Sequence, residues 1–364
     1  MASDKNKKSP TKVKKIPTSA FENFQLDLFQ KFLCNTDDER SNLGNTIDLW
    51  DSIPKYSMSR QAQNKLRSSD GRLKLLKLNC KFGGRGYQVV IQPARIEVKD
   101  KETDTISEID FYPSSNEELI EDALRKIASE QDQGFFDKFS YRSGAVFTLY
   151  MLREELAKRK HTRSFQEIIL SLEILSKANI EINCDGDGDG VGFSSILPAL
   201  AGVTRKDLEA NAEAKWIAQF HPLVTRSIDE LRYKQYNYDQ MMSHSSQLAR
   251  WLHKQLSTKF TYAAHGRTFD MLYSTIDRDS ALLNGYKHAR QGIQALDDAF
   301  SELEKNKVLM FYTKDVRRGS RNKIEDVSYT LTPSPEFVAA IRASNKRLSD
   351  GRKLSGEMSV LQIV

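Results

Sequence analysis

Residues 286–305 read YKHARQGIQALDDAFSELEK, a stretch in which apolar residues recur at steps of four, three, four and three. These apolar residues are Ala289, Ile293, Leu296, Phe300 and Leu303. Their spacing is the period of an α-helix with one buried face. The opposite face begins with side chains that can donate hydrogen bonds to phosphates and base edges, namely Lys287, Arg290, Gln291 and Gln294. The stretch therefore predicts an amphipathic helix whose leading edge is suited to nucleic acid.

Two β-prone runs follow this helix, at residues 308–314 and 324–331. The turn between them is basic and contains Arg317, Arg318, Arg321 and Lys323. A helix followed by two strands around a basic turn is typical of a winged helix, in which the helix enters the major groove and the wing follows the DNA backbone. We therefore expect DNA contacts from these turn residues and from the leading edge of the helix. The alternative is an ordinary surface helix and a hairpin with a solvated tip.

A similar order of elements occurs earlier in the chain. A helix beginning at Ser114 or Ser115, a second at about 143–158 and a third capped by Thr162 or Ser164 are followed by a strand at 180–184. This order predicts a second winged helix, and the alternative is a plain helical bundle. The turn and leading edge of its third helix supply further candidate DNA contacts: Lys160, Arg163, Ser164 and Gln166.

The predicted fold class is α+β, with two winged-helix DNA-binding domains in tandem, preceded by a disordered basic N-terminal arm and a β-hairpin region. The hairpin is expected within residues 71–98, around the turn Gly83-Gly84-Arg85-Gly86. A strand pair is expected around His221-Pro222 and a middle helix of the C-terminal domain at 269–275. The expected boundaries are 1–52 for the arm, 53–240 and 241–342 for the two domains, and 343–364 for a flexible tail.

The N-terminal arm combines scattered lysines with a short apolar island. Its first 20 residues are too polar to bury a core, which predicts disorder. The island contains Gln25, Leu26, Asp27, Leu28 and Phe29, and it resembles the pentapeptide by which many bacterial replication proteins bind the sliding clamp of the replicative polymerase. The resemblance implies that Gln25 enters a polar-rimmed pocket while Leu28 and Phe29 fill a hydrophobic one. The alternative is an amphipathic helix packed on the body of the protein.

Composition excludes several classes of protein. The net charge is only +6 over 364 residues, so nucleic-acid binding must depend on where the charges lie. Cys34, Cys80 and Cys184 have no zinc-like spacing and are expected to be reduced thiols of a cytosolic protein. No apolar run is long enough to span a membrane, and the basic N-terminus lacks the apolar core of a signal peptide. We expect a bacterial cytoplasmic protein without a membrane partner.

No catalytic constellation is found in the sequence. The six histidines include no pair separated by a single residue, which argues against a rolling-circle nuclease. No glycine-lysine nucleotide loop and no zinc-protease motif occur. Residues 185–190 begin like a calcium loop, but the twelfth position is Ile196 instead of a glutamate. We therefore expect a binding protein that is not an enzyme and needs no cofactor or metal, rather than a DNA-processing enzyme.

The chain resembles the theta-type plasmid replication initiators, the RepA, pi and TrfA group of tandem winged-helix proteins. The residues that carry the resemblance lie at 147–152, 164–169, 295–297 and 311–329, and the N-terminal pentapeptide is most like the TrfA branch. The resemblance covers about residues 110–335. The acidic turn at 185–190 departs from a simple two-wing grip on DNA.

This resemblance implies a function and a set of partners. It implies that monomers bind repeated sites (iterons) in double-stranded origin DNA, and that dimers are inactive in replication or repress their own gene. It also implies recruitment of the host initiator and the replicative helicase. The C-terminal unit would read the main half of each repeat, and the N-terminal unit would read the rest and carry the dimer surface. The alternative is a winged-helix transcriptional repressor, which would have no use for a clamp-binding pentapeptide.

Overall fold

The computed structural model describes residues 41–99, 106–130, 133–137, 139–185, 190–202 and 214–361. The pentapeptide at 25–29 and the turn at 186–189 lie outside these residues. The described chain is a mixture of helices and antiparallel strands, so the predicted α+β class is confirmed.

The helices are α1 (Arg60–Leu66), α2 (Ser115–Ala128), α3 (Leu149–Lys158), α4 (Phe165–Lys177), α5 (Pro222–Asp229), α6 (Tyr238–Met242), α7 (Gln247–Lys259), α8 (Tyr273–Ser280), α9 (Ala289–Lys305) and α10 (Pro335–Leu361). The strands are β1 (Leu43–Ile47), β2 (Leu76–Phe82), β3 (Arg85–Gln92), β4 (Ala94–Lys99), β5 (Ile106–Phe111), β6 (Gly134–Asp137), β7 (Arg142–Thr148), β8 (Asn179–Cys184), β9 (Gly190–Ser195), β10 (Ala199–Ala201), β11 (Lys215–Gln219), β12 (Tyr233–Asn237), β13 (Phe269–Leu272), β14 (Leu309–Arg318) and β15 (Ile324–Pro333).

The N-terminal unit packs α2, α3 and α4 between two four-stranded sheets. The sheets have the strand orders β2-β3-β8-β9 and β10-β11-β7-β6. Apolar side chains from both sheets and all three helices form one core, in which Phe147, Leu152 and Leu172 are almost completely buried. The hairpin predicted within 71–98 is present, with Cys80 paired to Tyr87 across β2 and β3.

The C-terminal unit runs in the order α7, β13, α8, α9, β14, β15, and its sheet has the order β13-β15-β14. The predicted apolar stripe of α9 is confirmed from Ile293 onward: Ile293, Leu296, Phe300 and Leu303 are buried against α7 and the sheet. Phe300 packs on the rings of Tyr312 and Tyr329, one from each strand of the wing. This packing places α9 on the inner face of the sheet, with its other face toward solvent.

The helix predicted from about residue 143 begins later. Residues 142–148 form β7, which lies between β11 and β6 and buries Ala145 and Phe147 on its inner side. A short run of small and apolar residues fits both the helical and the β period. Here the preceding strand β6 and the distant strand β11 supply the backbone partners. The helical prediction holds only for α3.

Two further segments differ from the prediction. The expected strand pair around His221-Pro222 is strand β11 followed by helix α5, because Pro222 occupies the first turn and His221 Nδ1 accepts a hydrogen bond of 3.1 Å from the Leu223 N–H. The middle helix expected at 269–275 is strand β13 followed by helix α8, because Phe269 to Leu272 pair with β15.

Both ends of the described chain are more ordered than predicted. The arm expected to extend to residue 52 ends earlier, since β1 pairs with β12 and Trp50 is fully buried. The tail expected from residue 343 continues as helix α10, whose Ser344 and Arg347 are buried beside β12. Both segments pack against β12, which is distant from each of them in the sequence.

Candidate nucleic-acid interface

The leading edge of α9 is open to solvent. Lys287 lies just before the helix, and Arg290 and Gln291 lie in its first turn; all three side chains are exposed. Within the described chain, none of the three makes a hydrogen bond or an ion pair. Gln294 is also exposed, but its amide nitrogen donates a hydrogen bond of 2.8 Å to Asp298 Oδ1 along the helix. Three donors are therefore free to meet a ligand, and a fourth must first exchange an exposed partner.

The N-terminus of α9 has no side-chain cap. His288 occupies the cap position, and its side chain makes no capping hydrogen bond. The backbone N–H groups of Ala289 and Arg290 therefore remain available at the positive end of a 17-residue helix, whereas the Gln291 N–H donates a hydrogen bond of 2.9 Å to the His288 carbonyl. Such an end attracts phosphate.

A close contact with α8 determines how α9 lies in the unit. Gly292 faces Tyr273, and a Cβ atom at Gly292 would lie 2.3 Å from the Tyr273 hydroxyl oxygen. Only glycine allows this approach without displacing the ring. Helix α9 therefore packs directly against α8 at Gly292, two residues after Arg290.

Asp297 connects α9 to both strands of the wing. Its carboxylate accepts a hydrogen bond of 3.1 Å from the Tyr329 hydroxyl group and a short ion pair from Lys314 Nζ. Its backbone oxygen accepts a longer bond of 3.4 Å from the Tyr312 hydroxyl group. Burial and the neighbouring carboxylate raise the pKa of Tyr329, which therefore remains a hydrogen-bond donor at neutral pH. The sequence placed Asp297 in the segment 295–297 that carries the resemblance but did not reveal this role.

The tip of the wing carries the predicted basic residues at the surface. Arg317 forms an ion pair of 3.4 Å with Glu325, both largely exposed, and Arg318 donates a bond of 3.4 Å to the Asn322 carbonyl. The side chains of Arg321 and Lys323 are exposed and make no hydrogen bond or ion pair in the described chain. Arg321 adopts a left-handed backbone conformation with φ of 56° inside a short 3-10 turn. The tip is thus a cationic turn on a two-stranded arm, held at its base by Asp297.

The N-terminal candidates are less free than the sequence suggested. Arg163 donates hydrogen bonds of 3.1 and 2.9 Å to Asn116 Oδ1 at the start of α2. Ser164 caps α4 in a reciprocal arrangement with Glu167, so the N-terminus of this helix is closed. The side chains of Lys160 and Gln166 are exposed and make no hydrogen bond or ion pair within the described chain. Two of the four predicted contacts are therefore engaged within the fold.

A further element covers α4 from the side opposite the core. The hairpin of β4 and β5 packs against this helix, with Ala94 and Ile96 in contact with Ile174 and Ala178. The helix is therefore buried on two faces, whereas α9 is buried on one. This gives a structural place to part of the region 53–112, for which the sequence predicted no role.

Other kinds of site find no support in the described part of the chain. No group of three or more histidine, cysteine, aspartate or glutamate side chains is arranged to hold a metal ion there. The helices that can be described include none long and apolar enough to cross a membrane.

Comparison with known proteins gives matches only among solved structures. No family model and no curated protein matches the sequence. The chain is similar to domains 2 and 3 of RctB at 11% identity and a TM-score of 0.45, over 78% of this chain and 97% of that one. A second structure of RctB domains 2 and 3 matches at 12% identity and a TM-score of 0.40, over 77% and 98%.

The Pi initiator protein in complex with iteron DNA is similar over 81% of this chain and 98% of its own, at 11% identity and a TM-score of 0.33. Pi belongs to the initiator group that the sequence resembles. A likeness of this degree does not determine a function, so the function must be argued from the residues of this chain.

Proposed function

We propose that the chain is a sequence-specific double-stranded DNA-binding protein that initiates replication by binding repeated sites at an origin. The observation that carries the proposal is the open edge of α9 beside a cationic wing. At this edge the side chains of Lys287, Arg290 and Gln291 make no hydrogen bond or ion pair in the described chain. An α-helix such as α9 fits the major groove of DNA, and the positively charged wing can follow the DNA backbone.

We propose that each unit is a winged helix. The C-terminal unit has the order helix, strand, helix, helix, strand, strand. The N-terminal unit has this order in α2, β7, α3, α4, β8 and β9, with the additional strand β6 between α2 and β7. The proposed reading helices are α9 and α4. The C-terminal unit would make the main contacts, because α9 has an uncapped N-terminus and one buried face, whereas α4 is capped by Ser164 and covered on two faces.

The proposed division of labour follows the chemistry of the side chains. Arg290 can donate two hydrogen bonds to a guanine edge, and Gln291 can make a paired contact with adenine. Lys287 and the wing residues Arg318 and Lys323 would contact phosphates, which adds affinity but little sequence preference. Binding of this kind needs no catalytic group, so we propose a binder rather than an enzyme.

A role in replication, rather than in repression alone, is supported by the pentapeptide at residues 25–29 and by the resemblance to plasmid initiators. We propose that this peptide binds the bacterial sliding clamp and that the chain also recruits the host initiator and the replicative helicase. The peptide lies outside the described residues, so the support for this part comes from its sequence alone.

Self-association is proposed through the outer face of the sheet β10-β11-β7-β6. On that face Ile217 is 47% exposed and lies opposite Val146, while Phe135 covers Gly144. A flat apolar sheet face of this kind is suited to pairing with a second copy. This surface is separate from the exposed edge of α9 within the fold, which fits the proposed exchange between monomers and dimers.

Selection of bound duplexes from a random pool tests the proposed function. An initiator is expected to enrich one word, and that word should recur in tandem beside the coding gene. A repressor would enrich a word that occurs once or as an inverted pair at a promoter, and the protein would not retain the clamp. Absence of any enriched word would overturn both readings.

A further inference from the structure

The two units meet through a buried cluster of charged side chains. Lys254 of α7 forms ion pairs of 2.6 Å with Asp122 and 3.3 Å with Glu118, both on α2. Arg125 of α2 forms two bonds of 2.7 and 2.8 Å to Asp51, which precedes α1. All five side chains are at most 7% exposed. The first helix of one unit is thereby joined to the first helix of the other.

Other hydrogen bonds between the units accompany the cluster, and each joins a residue up to 240 to a residue after 240. These are Tyr56 O with Gln247 Nε2 at 2.9 Å, Asp51 O with Gln255 Nε2 at 3.2 Å, Gln240 Nε2 with Asn306 O at 2.7 Å, and the Lys81 N–H with Asp279 Oδ1 at 2.9 Å. They involve α7, α8 and the end of α9, so they are spread over the unit rather than gathered at one hinge point.

Buried ion pairs of this kind favour one arrangement, because moving one partner away while the other stays buried leaves an uncompensated charge. Burial by itself lowers the pKa of Lys254, but the Asp122 and Glu118 carboxylates outweigh burial and raise it, so the lysine is charged at neutral pH. Arg125 and Lys55 likewise outweigh burial at Asp51 and hold its pKa below the ordinary value. Lys254 and Arg125 each form ion pairs with at least two buried carboxylates, and these pairs cross from one unit to the other at Lys254.

We propose that this cluster between α2 and α7 holds the two DNA-reading units at one separation and thereby fixes the spacing between the two base-pair segments of the binding site. This inference rests on the proposed function, since it requires both units to contact DNA. It goes beyond that function in stating that spacing, as well as base sequence, is read by the protein.

The geometry of DNA makes spacing a sensitive measure of rigidity. One inserted base pair moves the second segment by about 3.4 Å and turns it by roughly a tenth of a helical repeat. Two units joined by a flexible connection could move with the shifted segment and keep their contacts, whereas two units held rigidly together would lose the DNA contacts of one unit. Insertion of a full turn, about 10 base pairs, restores the direction of the groove but adds about 34 Å, which a rigid pair also fails to span.

The experiment uses the full chain and the selected duplex, after footprinting has located the two protected segments. Duplexes with 1, 2 and 10 inserted base pairs between the segments are compared with the parent duplex by binding titration. Each insertion is expected to weaken binding by at least about tenfold, as expected when one good base contact is lost. Equal binding to all four duplexes would overturn the proposal.

A variant links the effect to the cluster. Glu118→Gln, Asp122→Asn, Arg250→Met and Lys254→Met together remove two buried charges of each sign and the ion pairs between α2 and α7. This fourfold variant is expected to lose less than about threefold on insertion of one base pair, because the units then adjust. The matched control is Lys307→Met with Glu336→Gln, an exposed pair 3.6 Å apart, which should keep the full loss.

The possible failures are distinguishable. A chain that protects no segment on any duplex contradicts the proposed function itself. A chain that protects two segments and tolerates insertions contradicts only the fixed spacing. If the fourfold variant of Glu118, Asp122, Arg250 and Lys254 fails to fold, as judged by circular dichroism, the insertion series on the unaltered chain still decides the proposal.

Discussion

The hydroxyl group of Tyr329 donates a hydrogen bond of 3.1 Å to Oδ1 of Asp297, and this bond links the wing strand β15 to the helix α9. The same carboxylate holds Lys314 of β14. Asp297, which is only 13% exposed, thus adds polar contacts to both wing strands beside the packing of Phe300 on Tyr312 and Tyr329 and the hydrogen bond of 3.0 Å from the Tyr312 N–H to Glu304.

Asp297→Ala should loosen this arrangement and weaken DNA binding without removing any residue of the proposed interface. Loss of a hydrogen bond to a charged group costs about 1.5–3 kcal/mol. We expect a comparable loss in stability by urea unfolding and a reduced contribution of the wing, seen as a smaller salt dependence of binding. Asp298→Asn, which removes an exposed carboxylate charge on the same helix and keeps an oxygen for the Gln294 amide, is the control. Unchanged salt dependence in the Asp297 variant would contradict this role.

Arg290 and Arg318 are expected to make different contacts with DNA, the first with a base and the second with a phosphate. Arg290→Ala should reduce affinity for the selected word by about 1–3 kcal/mol and affect random duplexes much less, because a base contact is lost. Arg318→Ala should weaken binding to all duplexes alike and lower the slope of affinity against salt by about one unit, because a phosphate contact is lost. Binding titrations on both kinds of duplex measure this. An equal loss on both for Arg290→Ala would refute its assignment to a base.

The pentapeptide can be separated from DNA binding. Leu28→Ala combined with Phe29→Ala is expected to abolish retention of the sliding clamp in a pull-down while leaving affinity for the selected duplex unchanged, because the proposed hydrophobic anchor is removed. Phe21→Ala with Phe32→Ala, which changes apolar residues on either side of the motif, serves as the control. Undiminished retention of the clamp by the Leu28 and Phe29 variant would reject the clamp-binding role.

The buried cluster predicts an unusual pattern of stability. Lys254→Met alone removes one of the two cationic partners of Asp122 and of Glu118 and leaves one buried negative charge uncompensated. We therefore expect a loss of about 3–5 kcal/mol in the free energy of unfolding. The fourfold variant with Glu118→Gln, Asp122→Asn and Arg250→Met should recover much of this loss, because it removes two buried charges of each sign. Urea unfolding of both variants checks the order. A fourfold variant less stable than Lys254→Met would show that the cluster is not governed by charge pairing.

His244 predicts a dependence of stability on pH. Burial lowers its pKa to about 4, and its Nε2 atom lies 3.0 Å from Nδ1 of His253. Since the unfolded chain takes up a proton near pH 6.5 and the folded chain does not, the stability from this group is present above pH 6.5 and is lost as the pH falls toward 4. The full contribution is about 3 kcal/mol.

Urea unfolding at pH 7.5 and pH 4.5 measures this dependence. The unaltered chain should lose more stability between the two pH values than the His244→Asn variant, with a difference of a few kcal/mol or less. His265→Asn, which changes an exposed histidine, should behave like the unaltered chain. Identical pH dependence of the His244 variant and the unaltered chain would contradict the prediction.

Some features of the protein followed from the sequence by itself. The spacing of Ile293, Leu296, Phe300 and Leu303 determined a helix and its buried face, because residues three and four apart lie on one side of a helix wherever it packs. Ser164 and Glu167 likewise determined the start of α4, because a capping box involves only neighbours in the chain. These are local relations, and the local sequence contains all of their partners.

Only the tertiary structure decided which donors are free and how the two units are joined. The sequence does not reveal that Asn116 engages Arg163, that the β4–β5 hairpin covers α4, or that Lys254 meets Asp122 across 132 positions of the chain. A charged residue has many possible partners in a sequence, and the choice among them depends on which distant segments the core brings together. For the same reason residues 142–148 became a strand, since one of its two neighbouring strands, β11, comes from a distant part of the chain.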